Sequence, residues 1–160
     1  MTISRTLRHF LQEQHADYEV IPHESTHSAM QSALASSVPA DQVAKAVLLD
    51  TEDGYLLAVL PANHRIMLSD LTAEFGRRPQ LVEEDRLGFI FNDCDRGAIP
   101  ALASGYDIPL IVDDNIDRQP DIYFEAGDHE SLIHMSHDEF SRLTANARHG
   151  NFSMHEAMLH

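Results

Sequence analysis

A single lysine stands inside an apolar stretch of the chain, Val43–Asp50. Lys45 is the only lysine among the 160 residues, and the other ten basic side chains are arginines. Because a lysine ammonium is a compact point charge with three donors, it suits a phosphate or a developing negative charge. The alternative is that the composition favours arginine and that Lys45 merely extends its charged end to water from the end of a strand. The sequence leaves both interpretations open.

A second candidate is the turn Arg96–Pro100, in which Gly97 is followed three residues later by Pro100. Such a turn exposes backbone N–H groups, and these donors can bind a carbonyl oxygen or an oxyanion without any side chain. The pattern alone is weak, since glycine and proline near each other usually form only a turn. Likewise, His129 in the segment Gly127–His129 either places an imidazole near a pocket or only turns a hairpin.

Other catalytic chemistries find little support in the sequence. The only cysteine, Cys94, has no activating motif beside it, and the chain has neither a nucleophile elbow nor a glycine-rich phosphate loop. His23 with His27, and His134 with His137, have spacings that could chelate, but no further ligand pattern accompanies them. We therefore expect no metal, no other cofactor and surface positions for the histidines.

Composition narrows the classes of function. The formal net charge is -15, which disfavours DNA, sequence-independent binding of nucleic acid and anionic membrane surfaces, because these partners favour a basic surface. Any contact with a nucleic acid must then be small and local. The chain has one cysteine and no apolar run near the ~18 residues that span a bilayer. We therefore expect a soluble, cytoplasmic protein.

Periodicity and turn residues divide the chain into short strands and helices. We predict helices over residues 2–15, 28–37, 70–75, 83–91 and 137–145, and strands over residues 18–22, 43–50, 55–60, 110–112, 121–125 and 131–135. This order predicts one compact α/β (α+β) domain over residues 1–145, with a mixed, largely antiparallel sheet and surrounding helices. Residues 146–160 are polar, carry three histidines and are expected to fray as a C-terminal tail.

Five landmarks, in this order, resemble the YbaK/prolyl-tRNA synthetase-associated editing-domain family. They are Tyr18–His23, Val43–Val47, Tyr55–Pro61, Gly97–Pro100 and Tyr123–His129. The resemblance spans about residues 15–145, and its most specific element is the lysine strand followed at a distance by the glycine–proline loop. It implies a compact α/β domain that hydrolyses the ester of mischarged aminoacyl-tRNA, and that acts in trans because the chain carries no synthetase modules.

The resemblance also implies roles for individual residues. Lys45 and Gly97 would be catalytic: Lys45 would lie beside the terminal adenosine and its phosphate, and the loop that starts at Gly97 would hold the aminoacyl carbonyl through backbone N–H groups. The substrate-binding residues would be Tyr18, His23, Ala98, Ile99, Pro100 and His129. Positioning and oxyanion stabilisation would then suffice without a dedicated nucleophile or general base. The implied partners are the acceptor end of a mischarged tRNA and, as one way to deliver it, an aminoacyl-tRNA synthetase.

Two hypotheses about function remain open at this point. The first is a trans-editing aminoacyl-tRNA deacylase. The second is a non-catalytic module that keeps the pocket and binds a small acyl, nucleotide or protein partner, and the acidic net charge motivates it. A cleft lined by Lys45 and by open backbone donors would favour catalysis, whereas a filled cleft would favour binding or a scaffold role.

Overall fold

Helices and short strands alternate along residues 3–159, which a computed structural model of the chain describes. Within these residues the α-helices are α1 (Arg5–Glu13), α2 (Ala29–Ala35), α3 (Thr72–Phe75), α4 (Glu84–Ile90), α5 (Asp114–Asp117) and α6 (His137–Leu143). The strands are β1 (Glu19–Pro22), β2 (Val43–Thr51), β3 (Gly54–Pro61), β4 (His64–Ile66), β5 (Gln80–Leu81), β6 (Leu110–Asp113), β7 (Asp121–Glu125), β8 (Ser131–Ser136), β9 (Arg148–Gly150) and β10 (Ser153–His155). The predicted domain start at residue 1, the predicted helix start at residue 2 and the predicted tail end at residue 160 lie outside the described residues.

One mixed sheet carries most of the strands. Its order is β1-β8-β7-β2-β3-β6-β9, and β5 adds to β2. The pairs β1/β8, β7/β8, β2/β3 and β2/β5 are antiparallel, whereas β2/β7, β3/β6 and β6/β9 are parallel. Strands β4 and β10 form a separate two-stranded sheet. The arrangement confirms the predicted α+β domain with a mixed sheet and surrounding helices.

The β2–β3 hairpin lies in the middle of the sheet and carries Lys45. Its strands are apolar because both faces of the sheet are covered. Ala44 and Leu48 pack into a large core on one face, and Leu49 packs into a second core on the other. In the antiparallel register Lys45 lies opposite Leu60. A well-packed hairpin therefore fixes the backbone from which the lysine side chain extends.

Serine caps fix where the first and last helices begin. The Ser4 hydroxyl accepts a hydrogen bond from the Leu7 N–H (3.2 Å), and the Ser136 hydroxyl accepts one from the Glu139 N–H (3.1 Å). These bonds satisfy N–H groups that a helix start would otherwise leave unpaired. Leu7 of α1 and Phe140 of α6 then pack into the large core. Among residues 3–159, none of the helices has both the length and the apolar character that crossing a membrane requires.

The C-terminal residues pack on the sheet, so the expectation that they fray was wrong. β9 pairs with β6, and β10 pairs with β4. Between these strands Phe152 is 1% exposed, its N–H donates to the Asp113 carboxylate (3.0 Å), and its carbonyl accepts from the Met67 N–H (2.7 Å). The polar composition of this segment concealed one aromatic anchor, which holds the segment against the second core.

Candidate active site

Four consecutive residues of β2 lack a strand partner on one edge of the strand. On this edge β7 pairs with β2 at Val43 and Ala44, and β5 pairs with it at Leu49 and Asp50. The residues between them, Lys45–Leu48, have no strand partner there within residues 3–159. A cavity of about 320 Å³ opens against this stretch and is lined by all four of its residues. The gap in the sheet thus creates the floor of a small binding site.

Segments from distant parts of the chain form the other walls of this cavity. They are residues 27–29 at the start of α2, Leu81, Val82, Glu84 and Leu87 around the start of α4, the loop residues Gly97 and Ile99, and Glu125 at the end of β7. The Val82 N–H donates to the Leu48 carbonyl (3.1 Å) and closes one end of the gap. A neighbouring cavity of about 280 Å³ shares Glu84, Leu87, Gly97 and Ile99 with the first. The site therefore continues past the loop along α4.

Lys45 lies on the cavity wall and is half-buried. Burial lowers the pKa of its ammonium because desolvation disfavours the charged form; Glu156 opposes this effect and Arg65 adds to it. A partly desolvated ammonium gains more from an incoming anion than a fully hydrated one does. The position thus suits binding of a phosphate or of developing negative charge.

Two residues of the loop, Gly97 and Ile99, line the same cavity. The Ala98 N–H donates to the Asp95 carbonyl (3.0 Å) and closes the turn. Within residues 3–159, no protein group accepts from the N–H of Gly97 or of Ile99. Open donors of this kind can bind a carbonyl oxygen or an oxyanion. Ala98 has already used its donor, and both it and Pro100 are buried behind the cavity wall.

A buried histidine supports this loop from behind. His129 is 5% exposed, and its Nε2–H donates to the Arg96 carbonyl. A Cβ atom on Gly97 would come within 3.1 Å of the His27 carbonyl oxygen and 3.3 Å of His129 Nε2. Gly97 also has a φ of +78°, which favours glycine. Backbone conformation and lack of space therefore both require glycine at this position.

Glu125 is a buried carboxyl group on the cavity wall. It is 2% exposed, and the Ser32 hydroxyl, itself bonded to the Thr26 hydroxyl (2.7 Å), donates to its Oε1. Its Oε2 is buried with no hydrogen-bond partner within the described residues, and it lies 3.8 Å from His129 Nδ1, which also has none there. Burial raises the pKa of Glu125 to about 7, against the effect of the Ser32 bond. Glu125 was not among the residues predicted for the site, although its position between Phe124 and Ala126 indicated burial.

Two of the predicted substrate-binding residues lie apart from the cavity. Tyr18 packs at the margin of the large core. The His23 N–H donates to the Glu130 carbonyl (2.8 Å), and its ring Nδ1–H donates to the Glu24 carbonyl (2.6 Å). The structure therefore brings Lys45, Gly97 and Ile99 to one cavity, but it does not bring Tyr18 or His23 to its lining.

Other reactive side chains in the structure are poorly placed for catalysis. Burial raises the pKa of the Cys94 thiol to about 11, so it is protonated near neutral pH and a poor nucleophile. Among residues 3–159, no group of three or more His, Cys, Asp and Glu side chains converges as metal ligands. The charged and imidazole side chains that line the first cavity are His27, Lys45, Glu84 and Glu125.

Comparisons with known proteins identify the family and support the fold. Residues 23–143 match the family model described as aminoacyl-tRNA editing domain. No curated protein sequence matches the chain. The fold is similar to that of a proposed trans-editing enzyme for prolyl tRNA synthetase (19% identity, 94% of this chain and 96% of the other, TM-score 0.80). It is also similar to that of a hypothetical protein (16% identity, 94% of this chain and 100% of the other, TM-score 0.82).

Proposed function

The chain belongs to the aminoacyl-tRNA editing-domain family, and we propose that it acts in trans to hydrolyse the ester bond of mischarged aminoacyl-tRNA. One observation carries the proposal. Lys45 lines the same cavity of about 320 Å³ as Gly97 and Ile99, beside a gap in the sheet, and the N–H groups of Gly97 and Ile99 have no acceptor within the described residues. This volume is at the lower end of the range for small-molecule sites, about 300–1,000 Å³. It suits the aminoacyl end of a tRNA and not a larger part of it.

The reaction needs few groups from the protein. The ester carbonyl oxygen accepts from the N–H groups of Gly97 and Ile99, and the Lys45 ammonium binds the phosphate of the terminal adenosine. A water molecule then adds to the carbonyl carbon, the ester C–O bond breaks, and the ribose oxygen leaves with a proton that comes from the water. The products are a free amino acid and a tRNA with its hydroxyl restored. One oxyanion donor typically contributes about 10²- to 10³-fold in rate, so backbone donors can supply much of the acceleration.

The acidic charge of the protein limits how it holds tRNA. A net charge of -15 repels the phosphate backbone over most of the surface. Binding is therefore restricted to the acceptor end of the tRNA. An aminoacyl-tRNA synthetase that presents the mischarged tRNA would compensate for the weak binding of tRNA by this protein. A reaction of this kind fits the cytoplasmic location that the sequence predicts.

Substitution of the lysine tests the proposal. We expect Lys45→Ala to lower kcat/KM for hydrolysis of mischarged tRNA by about 10²-fold or more, as loss of a buried charge contact does, while the circular dichroism spectrum is unchanged. Arg118→Ala is the matched control, because it removes one cation from an exposed position that does not line the cavity, and it should leave the rate unchanged. Full activity in Lys45→Ala would show that the assignment of the site is wrong.

The acidic charge favours one alternative, a module that binds an aminoacyl or nucleotide group without hydrolysing it. Such a module would bind a non-hydrolysable aminoacyl-adenosine analogue saturably, in competition with mischarged tRNA, and would leave every ester intact. Binding without hydrolysis by a folded protein would establish this alternative in place of the deacylase.

A further inference from the structure

The orphaned carboxyl oxygen on the cavity wall has no role in the mechanism described so far. Burying a carboxyl group with one unpaired oxygen costs free energy, which a hydrogen-bond donor bound in the cavity would recover. Glu125 is 2% exposed and lines the cavity, and its Oε2 has no hydrogen-bond partner within residues 3–159. The Ser32 hydroxyl holds the other oxygen. The free oxygen is therefore held in one orientation.

We propose that Glu125 binds the α-ammonium group of the aminoacyl ester and so restricts the site to esters that carry a free amine. This inference rests on the proposed function, and it adds the feature of the substrate that the site recognises. It would exclude esters whose amine is acylated, such as those of peptidyl- or formylaminoacyl-tRNA.

The geometry around Glu125 fits an ammonium donor. The His129 Nε2–H donates to the Arg96 carbonyl, and the opposite ring nitrogen, Nδ1, lies on the side of Glu125. Nδ1 and Glu125 Oε2 lie 3.8 Å apart, which is too long for a hydrogen bond between them. The Oε2 atom therefore keeps its acceptor capacity for an –NH₃⁺ group at about 2.9 Å. An acylated amine has at most one N–H to donate and carries no charge, so it is a weaker partner for the carboxyl group.

The charge distribution of the cavity points the same way. Lys45, Glu84 and Glu125 line the cavity, so the site offers one cation and two acids. Glu84 is exposed and pairs with Arg96, which leaves Glu125 as the buried acid. An aminoacyl-adenosine end carries a phosphate and an ammonium, which complement Lys45 and Glu125. Binding of the ammonium would also compensate for the burial of the carboxylate, which a neutral ligand cannot do. An anionic or neutral acyl group would leave Glu125 Oε2 without a hydrogen-bond partner.

Matched substrates test the inference without any mutation. We expect wild-type protein to hydrolyse alanyl-tRNA with a kcat/KM at least about 50-fold above that for N-acetylalanyl-tRNA, a difference within the range for losing one charged partner. Glu125→Gln should lower kcat/KM for alanyl-tRNA by about tenfold or more and should leave N-acetylalanyl-tRNA nearly unchanged. Glu52→Gln, which removes a carboxylate from an exposed turn, is the control and should behave as wild type.

Binding of stable analogues separates failure of this inference from failure of the proposed function. The probes are adenosine with a 3′-alanylamide and adenosine with a 3′-propionylamide, which lacks only the amine. We expect wild type to prefer the alanyl analogue by about tenfold or more, and Glu125→Gln to bind both about equally. Equal binding of the two analogues by wild type, equal hydrolysis of the two esters, or a parallel loss on both in Glu125→Gln would overturn the role of Glu125. Tight, amine-dependent binding without hydrolysis would keep the inference and reject the deacylase.

Discussion

Replacing Glu125 with glutamine is expected to stabilise the protein while it impairs the reaction. Burial raises the pKa of this carboxyl from its ordinary 4.5 to about 7; the Ser32 bond opposes the rise and Asp128 adds to it. One pKa unit corresponds to about 1.4 kcal/mol, so an ionised Glu125 destabilises the folded protein by about 3 kcal/mol. Glutamine has nearly the same shape, its amide oxygen can accept from Ser32, and it carries no charge to desolvate.

The gain in stability should depend on pH in one direction. Between pH 4.5 and about pH 7, native Glu125 binds more protons than it does in the unfolded chain, so stability falls as the pH rises through this range. Below about pH 4.5 both states hold the proton and the penalty is absent. Above about pH 7 the penalty is fully present. Glu125→Gln should therefore raise the free energy of unfolding by about 3 kcal/mol at about pH 8, and hardly at all at about pH 4.

Urea denaturation of wild type, Glu125→Gln and the control Glu52→Gln at the two pH values measures this directly. Glu52 is exposed and pairs with Arg77 at the surface, so its variant should differ from wild type by less than about 0.5 kcal/mol at either pH. A loss of stability in Glu125→Gln at the higher pH would refute the reasoning, since it would mean that the ionised carboxylate is stabilised in the native protein. A gain that does not depend on pH would refute it as well.

Three further substitutions test the loop, the C-terminal anchor and the lysine. Gly97→Ala should lose about 2–4 kcal/mol of stability, because of backbone strain and crowding against His129, and should lose most of the hydrolysis rate. The control is Gly76→Ala, since Gly76 has the same φ of +78° but a Cβ atom there would meet nothing within 4 Å. This variant should lose only about 1–2 kcal/mol of stability and no activity. Phe152→Ala should lower the free energy of unfolding, measured in urea, by about 3–5 kcal/mol. The control is Met154→Ala at a half-exposed neighbour, which should change it by less than about 1 kcal/mol. A small effect of Phe152→Ala would mean that Phe152 does not anchor the C-terminal segment. Lys45→Met should unfold at or above the melting temperature of wild type, because it removes a desolvated cation, and a large drop in melting temperature would assign Lys45 a structural role.

Local patterns predicted the centre of the fold well. Apolar runs on both sides of a turn indicated the β2–β3 hairpin, and the last helix, predicted over residues 137–145, is α6 (His137–Leu143). The strands β4, β9 and β10 were missed because each has three residues and depends on a partner far along the chain. Short strands of this kind carry too few residues for a periodic pattern, and tertiary pairing decides them.

The site was predicted only where residue type alone restricts the chemistry. An isolated lysine in an apolar strand and a glycine before a proline both stand out in a sequence, and the structure brings Lys45 and Gly97 to one cavity. Glu125 did not stand out, because a carboxylate differs from the many others in the chain only when it is buried. Its burial depends on packing between β7 and α2, which the sequence pattern does not show. His129 was predicted near the pocket; its ring lies behind the Gly97 loop, where only the folded chain shows what it contacts.

Release of amino acid from mischarged tRNA is the direct test of deacylation by this protein. Alanyl-, cysteinyl- and seryl-tRNA would be incubated with wild type and with Lys45→Ala, and free amino acid would be followed against spontaneous hydrolysis. We predict that wild type accelerates release from at least one of them by about 10²-fold or more, and that Lys45→Ala does not. If folded wild-type protein releases none of the three amino acids faster than buffer does, the cavity is not a deacylase site for these esters and the central claim is contradicted.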